Sequence, residues 1–269
     1  MSVPRIWPVL VAYLLAFVAI ISFSLVAALM LRAAFPELSE REVFDGLPGI
    51  LAGAMASSAA LIVTLLIVAR PVDPVRLRLV PGRETGTQLI AMIVGTLALG
   101  QMLDSATILA GLSNRGAMAV IRRAIEAATG PDLFAAVVVI GLLAGSAEEL
   151  FFRGYMQARL RERFRPAVAV IVTSGAFALL HLESIHAGMA LALGLWLGFV
   201  TERAGSALPA VAAHVINNAL FTLLTAVVGT LEDRALNTAL LSGASAIFVG
   251  CAFWVSKLSA PPVPPAATA

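Results

Sequence analysis

Charge is scarce in this chain of 269 residues: Asp, Glu, Lys and Arg together make up 13% of it, roughly half the share of an ordinary soluble domain. So few polar groups cannot cover a globular surface, which argues against a soluble enzyme and against a disordered chain. Cysteine occurs once, as Cys251, so neither an internal disulfide nor a thiolate zinc cluster is available. The net charge is only +2, and the arginines fall between apolar runs instead of forming one basic patch. That placement speaks against a nucleic-acid partner and for a membrane protein whose arginines set its orientation. What is abundant is apolar: 60% of the residues are hydrophobic. The chain reads as an integral membrane protein, and residues 1–258 as a single transmembrane domain.

Crossing a hydrocarbon core of about 30 Å takes roughly 20 helical residues. Eight segments meet or approach that length, so the expected fold is all-α and polytopic, with about eight transmembrane helices. They run over 7–31, 47–69, 88–112, 133–150 with a continuation to Leu160, 166–182, 187–200, 206–228 and 235–255. The first is too long for a signal-peptide core and reads as retained. The tail 259–269, with four prolines, is expected to be disordered. Arg70, Arg76, Arg78 and Arg83 occupy one loop and Arg159, Arg161, Arg163 and Arg165 another, both on the side of Arg203 and Lys257. The loop after the first span is acidic. Both termini are therefore expected in the cytoplasm, across a plasma (inner) membrane. Arg115, Arg122 and Arg123 fall outside, where Met118, Ile121 and Ile125 share one face of an interfacial amphipathic helix.

Ionisable groups inside spans are costly and default to function. The first two spans have none, whereas spans four, five and seven hold Glu148, Glu149, Arg153, His181, His214 and Asn218. Counted from Arg161, Arg165 and Arg203, Glu148, His181 and His214 lie about 20, 24 and 17 Å deep on straight helices. They can meet at one level. Glu149 and Arg153 stand at i,i+4, where an ion pair forms. Glu148 faces about 100° away with no local countercharge, as suits a general base or acid. His214 and Asn218, also at i,i+4, present an imidazole and an amide that can hold a developing oxyanion. Glu148, His181 and His214 together have the donor types for a divalent metal such as Zn²⁺ with an open position.

These three groups, Glu148-Glu149-x-x-x-Arg153, Phe177-x-x-x-His181 and His214-x-x-x-Asn218, resemble the three-motif signature of the CPBP family, which comprises the type II (Rce1-like) CAAX prenyl proteases and the bacteriocin-processing or Abi proteins. The resemblance covers residues 133–228. It implies an intramembrane endopeptidase acting on a membrane-associated peptide or lipidated peptide, with a prenylated CAAX-like end as the family's best-known substrate. Glu148 and His181 would activate water, His214 and Asn218 would stabilise the oxyanion, and Glu149 and Arg153 would support them. Glutamate-dependent and metal-dependent mechanisms both remain open at this point, and access from the cytoplasmic side is expected.

Two other readings stand beside this one. A non-catalytic immunity or scaffold protein would use the same bundle for binding. A proton-coupled transporter would use Glu and His as a relay, but such proteins show corresponding broken spans in both halves, and nothing mirrors the Glu148 region here. His186 is spaced His-x-Glu-x-x-His from His181, about 140° apart on a continuous helix, and reads as a loop residue outside the site. Gln101 and Asp104 sit within span three, where bonding to a neighbouring helix is the commoner use, and are left outside it as well.

Overall fold

The computed structural model describes residues 5–258, all of whose regular structure is helical; the Pro-rich tail 259–269 lies outside the described residues. The helices are α1 (Trp7–Ala34), α2 (Glu40–Phe44), α3 (Leu47–Val68), α4 (Gly86–Leu109) and α5 (Gly116–Glu126), followed by α6 (Gly130–Arg161), α7 (Pro166–Leu179), α8 (Ser184–Ala204), α9 (Leu208–Val228) and α10 (Arg234–Ser256). Seven are long and apolar enough to cross a membrane, and α7 is a shorter apolar helix of 14 residues. The chain is a polytopic all-α membrane protein. Only 6% of the most apolar stretch of α1 is buried, so residues such as Leu14, Val18 and Leu25 are left to face lipid.

Two apolar cores hold the bundle together. In one, Ala12 and Ala16 of α1 and Leu61 and Leu65 of α3 pack against Phe151, Phe152 and Tyr155 of α6 and Phe177 of α7. In the other, Met92 and Leu99 of α4 meet Trp196, Leu197 and Val200 of α8 and Val255 of α10. The Trp196 Nε1–H donates to Thr96 Oγ1 at 2.8 Å, joining α8 to α4. α8 therefore stands between the cores, and α6 to α9 form the centre.

Three of the expected boundaries that move bear on the site. Span four is one helix to Arg161, but its hydrogen bonding is π-type over Val137–Ala144 and Leu150–Gln157, with an α-helical turn, Gly145–Glu149, between them. Nothing in residue periodicity distinguishes the wider coil, which commonly accompanies functional sites. Span five ends at Leu179, not Leu182, because the chain tightens into bonds from Leu180 N to Phe177 O and from His181 N to Ala178 O. Span six begins at Ser184, not Ala187. There the Glu183 carboxylate accepts the N–H groups of Ile185 and His186 at 2.9 and 3.0 Å.

On the arginine-rich side, the Glu202 carboxylate gathers three donors. Arg78 Nη1 and Gln157 Nε2 bond to Oε1 at 2.8 and 2.9 Å, and Arg161 Nε bonds to Oε2 at 2.8 Å. Loop 70–85, the end of α6 and the end of α8 are thus tied at one nearly buried point. Glu202→Gln leaves two guanidinium groups without their countercharge and is expected to cost on the order of 3 kcal/mol. A lower melting temperature in detergent checks this; an unchanged one contradicts it.

Candidate functional site

A cavity of about 510 Å³ runs through the middle of the bundle, and Glu148, His181, His214 and Asn218 all line it. Three separate stretches of chain supply them. Glu148 and Glu149 lie on the α-helical turn between the two π segments of α6, and His214 and Asn218 lie on α9. His181 follows α7, whose 14 residues rise about 21 Å. Because α7 stops short of a full crossing, His181 and the turn after it sit within the span depth. Non-helical backbone at that depth is tolerated only where protein covers it or a polar cavity adjoins it, and the cavity does so here.

The centre of the site is a line of three side chains. Glu149 Oε1 accepts from His214 Nδ1 and from Arg153 Nη1, both at 2.8 Å. His214 Nε2 then faces Glu148 Oε2 at 3.8 Å. Glu149 and Arg153 are fully buried, whereas the Glu148 side chain keeps 21% exposure. Of the two carboxylates, Glu148 is thus the one open to the cavity, while Glu149 is committed to holding His214. Arg153 is fixed in turn by donating to Gly194 O at 3.1 Å and by lying 5.0 Å over the Phe177 ring. The i,i+4 pairing of Glu149 with Arg153 is found as expected; the tertiary bond from Glu149 to His214 could not be read from spacing.

His181 Nδ1 lies 3.0 Å from Phe177 O. A carbonyl can only accept, so Nδ1 is the donor and Nε2 is left as the lone-pair nitrogen. Phe177 packs edge-on against His181, with centroids 4.8 Å apart, and so fixes the ring through both its backbone and its side chain. The Asn218 amide donates weakly to Ile140 O at 3.4 Å, and its oxygen accepts from Asn217 at 3.2 Å. His214 and Asn218 therefore share the cavity wall, each held by a different partner.

Three residues not assigned to the site from the sequence line the cavity: His186, Asp104 and Asn217. His186 is not a loop residue: it lies in the first turn of α8, its ring centroid 4.3 Å from that of His181, and within electrostatic reach of Glu148. The 140° argument assumed one continuous helix, but the chain breaks between α7 and α8, with Leu182 at φ +56°. A signal was present, since 14 residues from 187 to 200 are too few to cross, so the helix had to start earlier. Asp104 also lines the cavity and bonds Arg122 of α5, while Gln101 bonds Ser105 within α4. The third, Asn217, is signalled only by its being the neighbour of Asn218.

Small residues bring the elements together. A Cβ on Gly141 would stand 2.9 Å from Ala219 Cβ and 3.0 Å from its Cα, so α9 lies directly on α6. Gly141→Val must push α9 away and displace His214 and Asn218. Misplacing reacting groups by about 1 Å costs on the order of 10²-fold in rate, and that loss of cleavage is expected; wild-type rates would contradict it.

Glu148, His181 and His214 carry the donor types for a metal, yet among the described residues no group of three His, Cys, Asp or Glu side chains is arranged to hold one. His214 Nδ1 is held by Glu149 and His181 Nδ1 by Phe177 O, which leaves Nε2 of each ring as its available nitrogen. The chemistry that the arrangement offers directly is that of a carboxylate among imidazoles and an amide.

An all-helical membrane protein with such a cavity falls in a class defined more closely by sequence comparison. Residues 130–220 match the family model for type II CAAX prenyl endopeptidase Rce1-like proteins. That stretch, similar to the Rce1-like family, contains Glu148, Glu149, Arg153, His181, His214 and Asn218, and the similarity implies a membrane protease in general. No curated protein and no solved structure gives a significant match.

Proposed function

We propose that the chain is an intramembrane endopeptidase in which Glu148 activates water against a peptide bond of a membrane-associated substrate. The observation that carries this is the line Glu149–His214–Glu148 on the cavity wall, at 2.8 and 3.8 Å. Glu149 accepts the Nδ1–H of His214 and so aims Nε2 at the cavity, the orienting role that a buried carboxylate plays for an imidazole. The substrate carbonyl lies between Glu148 and His214. Water, held also by His181 Nε2, attacks the carbonyl carbon while Glu148 takes its proton. The oxyanion receives hydrogen bonds from protonated His214 Nε2 and from the Asn218 amide. The C–N bond then breaks, and Glu148 returns the proton to the leaving amine. Arg153 holds Glu149 and thereby His214.

The apolar lining, including Leu61, Leu103, Ile125 and Phe221, suits a peptide with a greasy flank or a lipid modification. The test is incubation of detergent-purified protein and its His214→Ala variant with lipidated and transmembrane peptides, reading product termini by mass spectrometry. Cleavage by the wild type at defined bonds, with strong loss in the variant, is expected. Equal cleavage by both sinks the proposed site, and binding without cleavage by folded wild type favours a scaffold.

A further inference from the structure

The cavity is lopsided. Its walls are the halves of the helices that point to the α5 side: the start of α3 at Gly49 and Ile50, the end of α4 at Asp104, the start of α8 at His186 and the end of α9 at Thr225. α5 itself borders it through Met118, Ile121 and Arg122, and a Cβ on Gly116 would meet Glu183 in the turn before α8. The amphipathic helix therefore turns its apolar face to the cavity. Towards the other side the space is closed. Phe151, Tyr155, Met156, Gln157 and Leu160 of α6 are buried in sequence below Glu148, and the Glu202 cluster ties Arg78, Gln157 and Arg161 across the bundle beneath them.

The two sides differ in charge. Eleven of the 18 Lys and Arg lie on the closed side, eight of them in loops 70–85 and 159–165, against six on the open side, Arg32, Arg41, Arg115, Arg122, Arg123 and Arg234, which Glu37, Glu40, Glu42, Asp45, Glu126, Glu232 and Asp233 offset. Lys and Arg in short loops mark the cytoplasmic face.

Resting on the protease reading for its chemistry, we propose that the site is reached from the extracytoplasmic side, and that its substrates are membrane-associated peptides whose scissile segment lies in the outer half of the membrane or has already crossed it. This reverses the cytoplasmic access expected from the sequence. A cytoplasmic C-terminal peptide would have to pass the packed end of α6 and the Glu202 cluster, whereas a segment in the outer half approaches the cavity wall that α3, α5 and α9 supply.

Cysteine accessibility tests the geometry independently of catalysis. In a Cys251→Ser background, Ser57→Cys and Met118→Cys place a thiol on the cavity wall, and Arg163→Cys places one on the arginine-rich side. A membrane-impermeant maleimide is applied to right-side-out and to inside-out vesicles. The cavity thiols are expected to label faster from outside by on the order of tenfold or more, a charged reagent being excluded from the bilayer, and Arg163→Cys only in inside-out vesicles. Labelling of the cavity thiols from the cytoplasmic side, or of Arg163→Cys from outside, overturns the proposal. A second arm places one scissile segment at either end of a single-span anchor; cutting only at the extracytoplasmic end is expected, and cutting at the cytoplasmic end overturns the proposal. Outside labelling with neither reporter cut supports the access route and counts against the protease reading alone.

Discussion

Glu148→Gln is expected to lose peptide cleavage by about 10²–10⁴-fold, the range contributed by a positioned general base, while the protein remains folded. The two consequences have separate causes. Among the described residues the Glu148 carboxylate accepts no hydrogen bond; His214 Nε2 faces it at 3.8 Å, and its side chain is open to the cavity. Replacing it with an isosteric amide removes the proton acceptor without stranding a charge. Rates and melting temperature measured on the same preparation decide this. A variant that cleaves normally removes Glu148 from the mechanism, and one that fails to fold gives it a structural role instead.

Glu149→Ala is expected to behave differently, losing stability as well as activity. Glu149 and Arg153 are fully buried 2.8 Å apart, and His214 leans on the same oxygen. Removing that carboxylate leaves a guanidinium uncompensated inside the bundle, at a cost of about 3–5 kcal/mol. His214 loses the bond that aims it. A markedly lowered melting temperature in detergent, together with lost cleavage, is the expected pair of results. Full stability in Glu149→Ala would mean that Arg153 has another partner and that the relay to His214 is not fixed through Glu149.

The contrast between these carboxylates was half visible in the sequence. Helical spacing pairs Glu149 with Arg153 and leaves Glu148 free, and depth counting brings Glu148 and His214 to one level; the structure sets them 3.8 Å apart. The apolar helices were legible because a bilayer fixes helix length and tolerates few interior charges, although of the eight expected spans only seven are long enough to cross and α7 is too short. The bond from His214 to Glu149 was not, because it depends on how α9 rotates against α6, which Gly141 and its contact with Ala219 set. The π segments were hidden as well, since no residue pattern reports an i→i+5 bond. His186 was misjudged for a simpler reason: its spacing from His181 was read on one helix where there are two. The side from which the cavity opens needed the packed ends of α6 and α8 together, and those become neighbours only in the folded bundle.

The central claim is that water activated at Glu148 hydrolyses a peptide bond within the membrane. Cleavage of a transmembrane peptide in ¹⁸O-labelled water, with product termini read by mass spectrometry, tests it most directly. The account predicts one heavy oxygen at each new carboxyl terminus with the wild type and no product with Glu148→Gln. Products of the same mass and amount from both proteins, or a new terminus lacking the label, would contradict it.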